Sequence, residues 1–435
     1  MLSLFVFATA SAAPLIPYET YTLDNGLEVI LAPQPDAPLV HVEVTFHVGS
    51  RDEQEGQHGW THMVEHLLFS GTPNSGVAVY EEIFQGLGVQ NNASTDTDRL
   101  QVYETLPPEH LPVVLWAEAD RMEHLSEIID AELLKREASV IKQEYHHSVV
   151  TKPYGQVWPK IMASLFPQDH PYHHDVIGDI KQVQSASAAN MKRFLGRWFG
   201  PENATLVIAG AFSIEDARAL VGATFGRVTR QAGAEASWDV RPSSLDDNVE
   251  IRLDEAHGED ARVYMVWPSP PIYQPGDAEL DLISQLLGGR ADSRLHRALV
   301  EEQGSATEIS AYQYSSHLAS TFVIEATVAS GRTGDEVAEA TQEVIWALFN
   351  DAPPTDAEIN AARALLERDF YLRLSTVAAR GHMLSRYTDA AGTPDYVDEG
   401  LARYLESSPQ QVLELGWVTL SQPHLTLHAV PAETQ

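Results

Sequence analysis

Residues His58 to Thr72 read HGWTHMVEHLLFSGT. Inside this apolar stretch lies His62-Met63-Val64-Glu65-His66, an H-x-x-E-H string. The apolar spacing predicts a helix. Residues four apart on a helix differ by about 40° in azimuth, so His62 and His66 project from one face. Two imidazoles placed this way can share a Zn²⁺ at about 2.0–2.1 Å each. Glu65, at the edge of that face, reaches a water beside the metal without being a ligand. It can take the proton of that water as it attacks a carbonyl. With 18 histidines and 62 acidic residues in 435, chance gives such a string roughly 0.1 times, so it is suggestive but not decisive. The bland alternative is a helix whose polar residues are satisfied by water.

An open catalytic zinc site needs a third protein ligand. The chain has no cysteine, so that ligand must be Asp, Glu or His. Disulfide scaffolds and cysteine nucleophiles are excluded for the same reason. KREASVIKQEYHH, Lys135 to His147, offers Glu137 and Glu144 seven apart, on one face of a predicted helix. One of these carboxylates can be a ligand and the other can orient a ligand from behind.

At 435 residues the chain is too long for one ordinary core. Its net charge of -34 argues against nucleic acid or an anionic membrane as a partner. The acidity suits high solubility, a salty environment or attraction of basic peptides. No stretch from Pro14 onward is long and apolar enough to span a bilayer. MLSLFVFATASAAP at the start is apolar and ends in small residues, with Ala10-Ser11-Ala12 fitting a cleavage site. Residues 1–13 are therefore expected to be a signal-peptide remnant, and the protein periplasmic or secreted.

YTLDNGLEVILAPQP predicts a hairpin around Asn25-Gly26, and LVHVEVTFHVGS a second alternating strand. VYEEIFQGLG, Val79 to Gly88, reads as a helix ended by glycine. NNASTDTDRLQVYETLP reads as a strand pair. Two amphipathic helices and the strand NATLVIAGAFS follow. Thr229 to Asn248 has no clear period and is expected to be a linker. Strands and helices then recur in similar order. The expectation is an α+β chain of two related domains, 14–228 carrying the H-x-x-E-H string and 249–435 lacking it, each an antiparallel-rich sheet packed with helices.

H-x-x-E-H is the inverzincin signature. RDEQEGQHGWTHMVEHLLFSGT resembles the zinc-binding segment of the pitrilysin/insulinase (M16) metallopeptidases. GLGVQNNASTDTDRLQVYETLP, KREASVIKQE, HPYHHDVIGD and LLGGRADSRLHRALVEEQG resemble further segments of that family, in the family's order. The two-domain size resembles the branch of mitochondrial processing peptidases and their bacterial relatives, each chain being half of a clam-like enzyme. The resemblance implies a zinc endopeptidase with one Zn²⁺ per chain, held by His62, His66 and Glu144. It implies that Glu65 is the catalytic base and Glu137 an assisting glutamate. It also implies that Asn92 and Ala93 lie on a strand that pairs with the peptide substrate.

One departure matters. The family places an Arg, and a Tyr seven residues on, in the second domain to reach substrate and oxyanion. LVEEQGSAT puts Val300 and Thr307 there. Valine has no donor and threonine is too short. Arg297 and Tyr312 are nearby but wrongly spaced. The resemblance therefore implies the zinc-bearing subunit of a heterodimer, whose related partner supplies the Arg and Tyr; a homodimer fits less well. The rival reading is a non-catalytic assembly or peptide-binding subunit, which the complete ligand set disfavours. Blander expectations cover the remainder. His146 and His147 read as polar helix positions, His170, His173 and His174 as a surface loop, and Trp60 and Phe69 as core. Asp52 to Glu55 reads as a solvated loop, and Gly288-Gly289 as a helix cap.

Overall fold

A computed structural model describes residues 14–76, 84–231, 233 and 244–432. The expected signal segment lies outside the described residues, as do most of the expected helix before Gly88 and much of the expected linker.

Two sheets organise the chain. In the first, β1 (Glu19–Thr22) and β2 (Glu28–Pro33) form the hairpin expected at Asn25-Gly26, with Gly26 at φ +98°. They are joined by β3 (Val40–Phe46), β4 (Gln90–Thr95), β5 (Leu100–Leu106) and β6 (Ala204–Gly210), in the spatial order β1-β2-β6-β3-β5-β4. The second holds β7 (Val249–Glu255), β8 (Arg262–Ser269), β9 (Ala306–Tyr314), β10 (Ser320–Val328) and β11 (Leu425–Pro431), in the order β7-β11-β8-β10-β9. Without β1 the two orders are the same. Each has one parallel pair, β2 with β6 and β7 with β11, and is otherwise antiparallel. The halves are two related α+β domains.

The helices of the first half are α1 (Trp60–Leu68), α2 (Leu111–Ile128), α3 (Ala131–Tyr145), α4 (Val157–Leu165), α5 (Ile180–Gln184), α6 (Ala188–Trp198) and α7 (Ile214–Ala223). Those of the second are α8 (Asp277–Leu287), α9 (Gly334–Phe349), α10 (Asp356–Arg373), α11 (Val377–Ala391), α12 (Tyr396–Glu406) and α13 (Pro409–Leu420). Each sheet buries one face under helices of its own half. Met63, Val64 and Leu67 of α1 meet Val42, Val44 and Leu206 in the first core, and Leu280 and Ile283 of α8 meet Met265 and Phe322 in the second.

The other face of each sheet is covered by the opposite half. Ile30, Val207 and Ala209 of the first sheet pack against Phe370, Met383, Leu384 and Leu401 of α10, α11 and α12. Val157, Ile161 and Leu165 of α4 pack against Tyr264, Val323, Leu425 and Leu427 of the second sheet. This exchange explains the burial of β3. Its alternation of apolar and polar residues suggests one solvated face, yet His41, Glu43 and Thr45 are wholly buried. Thr45 hydrogen-bonds Ser385 at 2.7 Å, and Glu43 lies 2.6 Å from His382 and 3.3 Å from His41. Burial alone would raise the Glu43 carboxyl, but the two imidazoles hold it well below the usual carboxylate range.

Asp389 of α11 fastens the seam. Its carboxylate meets His47 at 2.7 Å and His317 at 3.2 Å. Burial would raise its pKa, and the bonds to His317 and His47 more than reverse that. Burial would lower His317, and the carboxylates of Asp389 and Asp98 raise it instead. Asp389 thus contributes stability that is full above its unfolded value of 3.8 and is lost as pH falls through the lowered folded value. His317 contributes stability that is full below its unfolded value of 6.5 and is lost as pH rises through the raised one. Asp389→Asn should cost about 3 kcal/mol. The gap in melting temperature from wild type should be widest between about pH 4 and 6.5 and narrow on either side. A gap that ignores pH would remove these ion pairs from the stability of the seam.

Candidate metal centre

Helix α1 begins at a point that few side chains could occupy. Gly59 caps it at φ +95°, and a Cβ there would meet Val183 and the Ile177 carbonyl at 2.6 and 2.7 Å. Gly178 lies so close to His58 and Gly59 that it too can carry no side chain. Glu53 completes the start. Its carboxylate accepts from the amides of Gly59 (2.8 Å) and Thr61 (2.7 Å), which the first turn of a helix leaves without partners. Asp52 and Glu53 are therefore buried, not the solvated loop expected; Gln54 and Glu55 are exposed. Burial pushes the Glu53 carboxyl up to about 8, against the pull of the two amides.

His62 and His66 project together from this anchored helix, their rings edge to face at 4.8 Å between centroids. Glu144, in the last turn of α3, brings Oε2 to 3.3 Å from His66 Nε2 and 3.7 Å from His62 Nε2. Three donors bonded tetrahedrally at about 2.0–2.1 Å stand about 3.4 Å apart, so these spacings and this donor set fit zinc. The His62, His66 and Glu144 ligand atoms all lie within 4.8 Å of one another. His62 Nδ1 is buried without a hydrogen-bond partner. Burial lowers His62. It also opposes charge on His66, but the hydrogen bond and charge of Glu144 raise that imidazole overall. Glu144 is lowered, chiefly by His66.

Glu65 stands beside this group without joining it. It lines the same cavity of about 450 Å³ as His62, Glu144 and Ala93, and Thr95 Oγ1 donates to its Oε2 at 2.5 Å. Glu137 is nearly buried behind His66, with Oε2 3.9 Å from Nδ1 and Oε1 accepting from Arg136 at 2.9 Å. Asn92 and Ala93 lie on β4, which ends the first sheet among the described residues. Ala93 faces the cavity. Asn92 is exposed on the opposite face, and its side chain accepts from the Ala93 amide.

Val300 packs against the second core, and Thr307 is exposed on β9, the edge of the second sheet. Arg297 is exposed. Tyr312 lines a neighbouring cavity of about 340 Å³ with Tyr314, Trp158 and Val176, the last two of which also line the cavity beside His62 and Glu144.

The segment from His170 to His174 is not a surface loop. His170 and Tyr172 are buried, His174 stacks on His58 at 3.9 Å, and the Tyr172 hydroxyl donates to Asp98. The segment is a strut at the seam, and its histidines join none of the three metal-competent groupings among the described residues. His146 and His147 are exposed on a π-helical turn, as expected, and Trp60 is core. Sequence reasoning missed Glu53, Thr95 and the cleft residues Tyr154 and Trp158. Of these Glu53 and Thr95 lay inside segments already singled out, and Tyr154 and Trp158 did not. A further cavity of about 810 Å³ lies away from the cleft beside Trp346, Trp417 and His424.

Residues 28–177 match the family described as Insulinase (Peptidase family M16), and residues 185–366 match Peptidase M16 inactive domain. The chain belongs to the M16 family. A Helicobacter pylori relative named Zinc protease PqqE is 25% identical to this M16 chain over 402 residues, covering 89% of it and 88% of the relative. A Schizosaccharomyces pombe relative named "Probable mitochondrial-processing peptidase subunit beta" is 25% identical over 423 residues, 92% and 89% of the two chains. A solved structure of a protease from Helicobacter pylori shares the fold at a TM-score of 0.88 and 20% identity, covering 96% of this chain and all of that one.

If Glu53 anchors the metal helix, Glu53→Ala should cost about 1–3 kcal/mol in thermal unfolding by leaving two buried amides without an acceptor. It should also weaken zinc retention in a chelator competition. Glu53→Gln, which keeps one acceptor, should lose less. Equal stability of all three proteins would show that the amides find other partners.

Proposed function

We propose that this M16 chain is a zinc-dependent endopeptidase acting on extended peptides, as the zinc-bearing subunit of a heterodimer. The observation that carries the reading is the convergence of His62, His66 and Glu144, with Glu65 beside them in a cavity bordered by an edge strand. His62, His66 and Glu144 would hold one Zn²⁺. Bound there, zinc supplies Lewis acidity toward a carbonyl and makes water more acidic. Glu65 takes the proton of the attacking water and returns it to the leaving nitrogen, while Thr95 holds the carboxylate in place. Glu137 steadies His66 from behind. The edge of β4, unpaired among the described residues, gives the substrate backbone hydrogen-bond partners, so the peptide adds as a strand beside Ala93.

The heterodimer half of the reading is supported by Val300 and Thr307. Neither offers a donor suited to an oxyanion, and the loss of one such donor costs about 10²–10³ in turnover. A related partner facing this chain would supply an Arg and a Tyr. The same two residues favour the rival reading, a peptide-binding subunit without turnover. The apolar start of the chain supports export to a periplasmic or extracellular space, and among the described residues no helix is long and apolar enough to cross a membrane.

The readings separate in one set of assays. The purified chain should hold one zinc, and His66→Ala should lose it by metal analysis. Alone, the wild type should cleave peptides poorly, and the partner should raise turnover about 10²-fold or more. Glu65→Gln should keep zinc and lose most of that turnover. Full turnover by the chain alone would sink the heterodimer and move attention to Tyr312 and Arg297. No turnover in the mixture, with peptide still bound, would support the rival.

A further inference from the structure

On the face of the first sheet opposite α1, at the seam, lies a cavity of about 430 Å³. Arg99, Arg373, Arg386 and Arg403 line it. Such a concentration is unexpected in a chain with 28 basic and 62 acidic residues. Arg99 pairs with Asp96 at 3.6 Å, and Arg403 with Asp277 at 2.9 Å. Arg373 and Arg386 have no carboxylate within 4.0 Å among the described residues. The Arg386 guanidinium is exposed to solvent through the cavity, beside Tyr273. Two further donors, Arg99 Nη1 and Arg403 Nε, are buried without a hydrogen-bond partner. Tyr273 holds φ +63°, costly for a bulky residue, with its amide bonded to Asp277 at 2.9 Å and its ring 4.8 Å from the Arg403 guanidinium. Two buried donors without partners and two solvent-facing guanidiniums, beside a strained aromatic residue and with Asp369 as the one acidic side chain of the lining, are chemistry for an oxyanion.

The position of the cavity says which anion. Gln101 and Tyr103 of β5 form part of its wall, and they pair across the sheet with Ser94 and Asn92 of β4. Gln101 bonds Ser94 at 3.0 Å. Thr95 and Ala93, which alternate with these on β4, face the metal side, and Ser94 between them borders the metal cavity at the strand edge as well. A peptide strand added to β4 must alternate in the same way. If one of its side chains lies on the metal side, the next points toward the arginines. We propose that this cavity is a substrate subsite for a carboxylate, carried by the peptide one step along from the residue at the metal centre. The inference rests on the peptidase reading above. The planar, two-oxygen carboxylate matches the guanidinium fork. The overall acidity of the chain would favour basic peptides at long range, whereas this cavity selects an acidic group at one position.

The test uses zinc-loaded Glu65→Gln, so that binding is read without turnover, and a short neutral peptide. One Glu or Gln is scanned through it, with its C-terminus free or amidated. At one position the Glu peptide should bind about tenfold tighter than its Gln twin, the scale of a lost charge-assisted bond. Adding Arg386→Gln should abolish that gap, and Arg373→Gln should reduce it. A gap that follows amidation instead assigns the terminal carboxylate as the group bound. Equal affinity for every peptide overturns the subsite. Cleavage by wild type with its partner is scored in parallel. Cleavage without any acidic preference overturns the subsite alone. A retained Glu preference without cleavage keeps the subsite and overturns the peptidase reading.

Discussion

Neither sheet of this chain can bury both faces with its own half. β3 and β6 are covered throughout their length, which takes a helix layer on each side, and one layer comes from the other half. Pulling the halves apart would uncover Ile30, Val207 and Leu384 on one side and Ile161, Val323 and Leu427 on the other. At about 25 cal/mol per Å² of apolar surface, that cost resists any hinge along the seam. The polar groups of the seam are matched as well, with Glu43 between two histidines and Asp389 between two more. The metal site inherits this rigidity. Its edge strand leads directly into Asp98, which meets Arg51 at 2.7 Å and accepts from the His317 amide at 3.0 Å across the seam.

Much of this was legible in the chain. The H-x-x-E-H spacing placed His62 and His66 on one helix face, and the seven-residue step from Glu137 to Glu144 marked the helix that meets them. The Asn25-Gly26 hairpin and the repeated order of strands and helices were readable for the same reason: each is a local pattern with a period. What could not be read was the identity of the covering layer. The alternation in β3 shows that its two faces differ, but a polar face is the same in sequence whether it meets water or Ser385, 340 residues away. Glu53 looked solvated because a run of acids usually is, and nothing nearby announces that two helix amides await it. The segment from His170 to His174 misled in the same way, as His58, which stacks on His174, and Asp98, which accepts from Tyr172, come from distant parts of the chain.

Charge shows the same limit. A balance of -34 describes the surface as a whole. Four arginines scattered from Arg99 to Arg403 leave no local trace of meeting, yet the crossing of α10, α11 and α12 onto the first sheet brings them into one cavity.

The crossing also sets a timetable for synthesis. The last strand of the first sheet is finished at Gly210, but the residues that cover its second face begin near Phe370. About 160 residues separate the two, so at ribosomal speeds of about 5–20 residues per second the sheet waits roughly ten to thirty seconds with an apolar face bare. During that wait the nascent chain is at its stickiest, and a chaperone or an export channel that keeps it unfolded would shield it until both halves can close together.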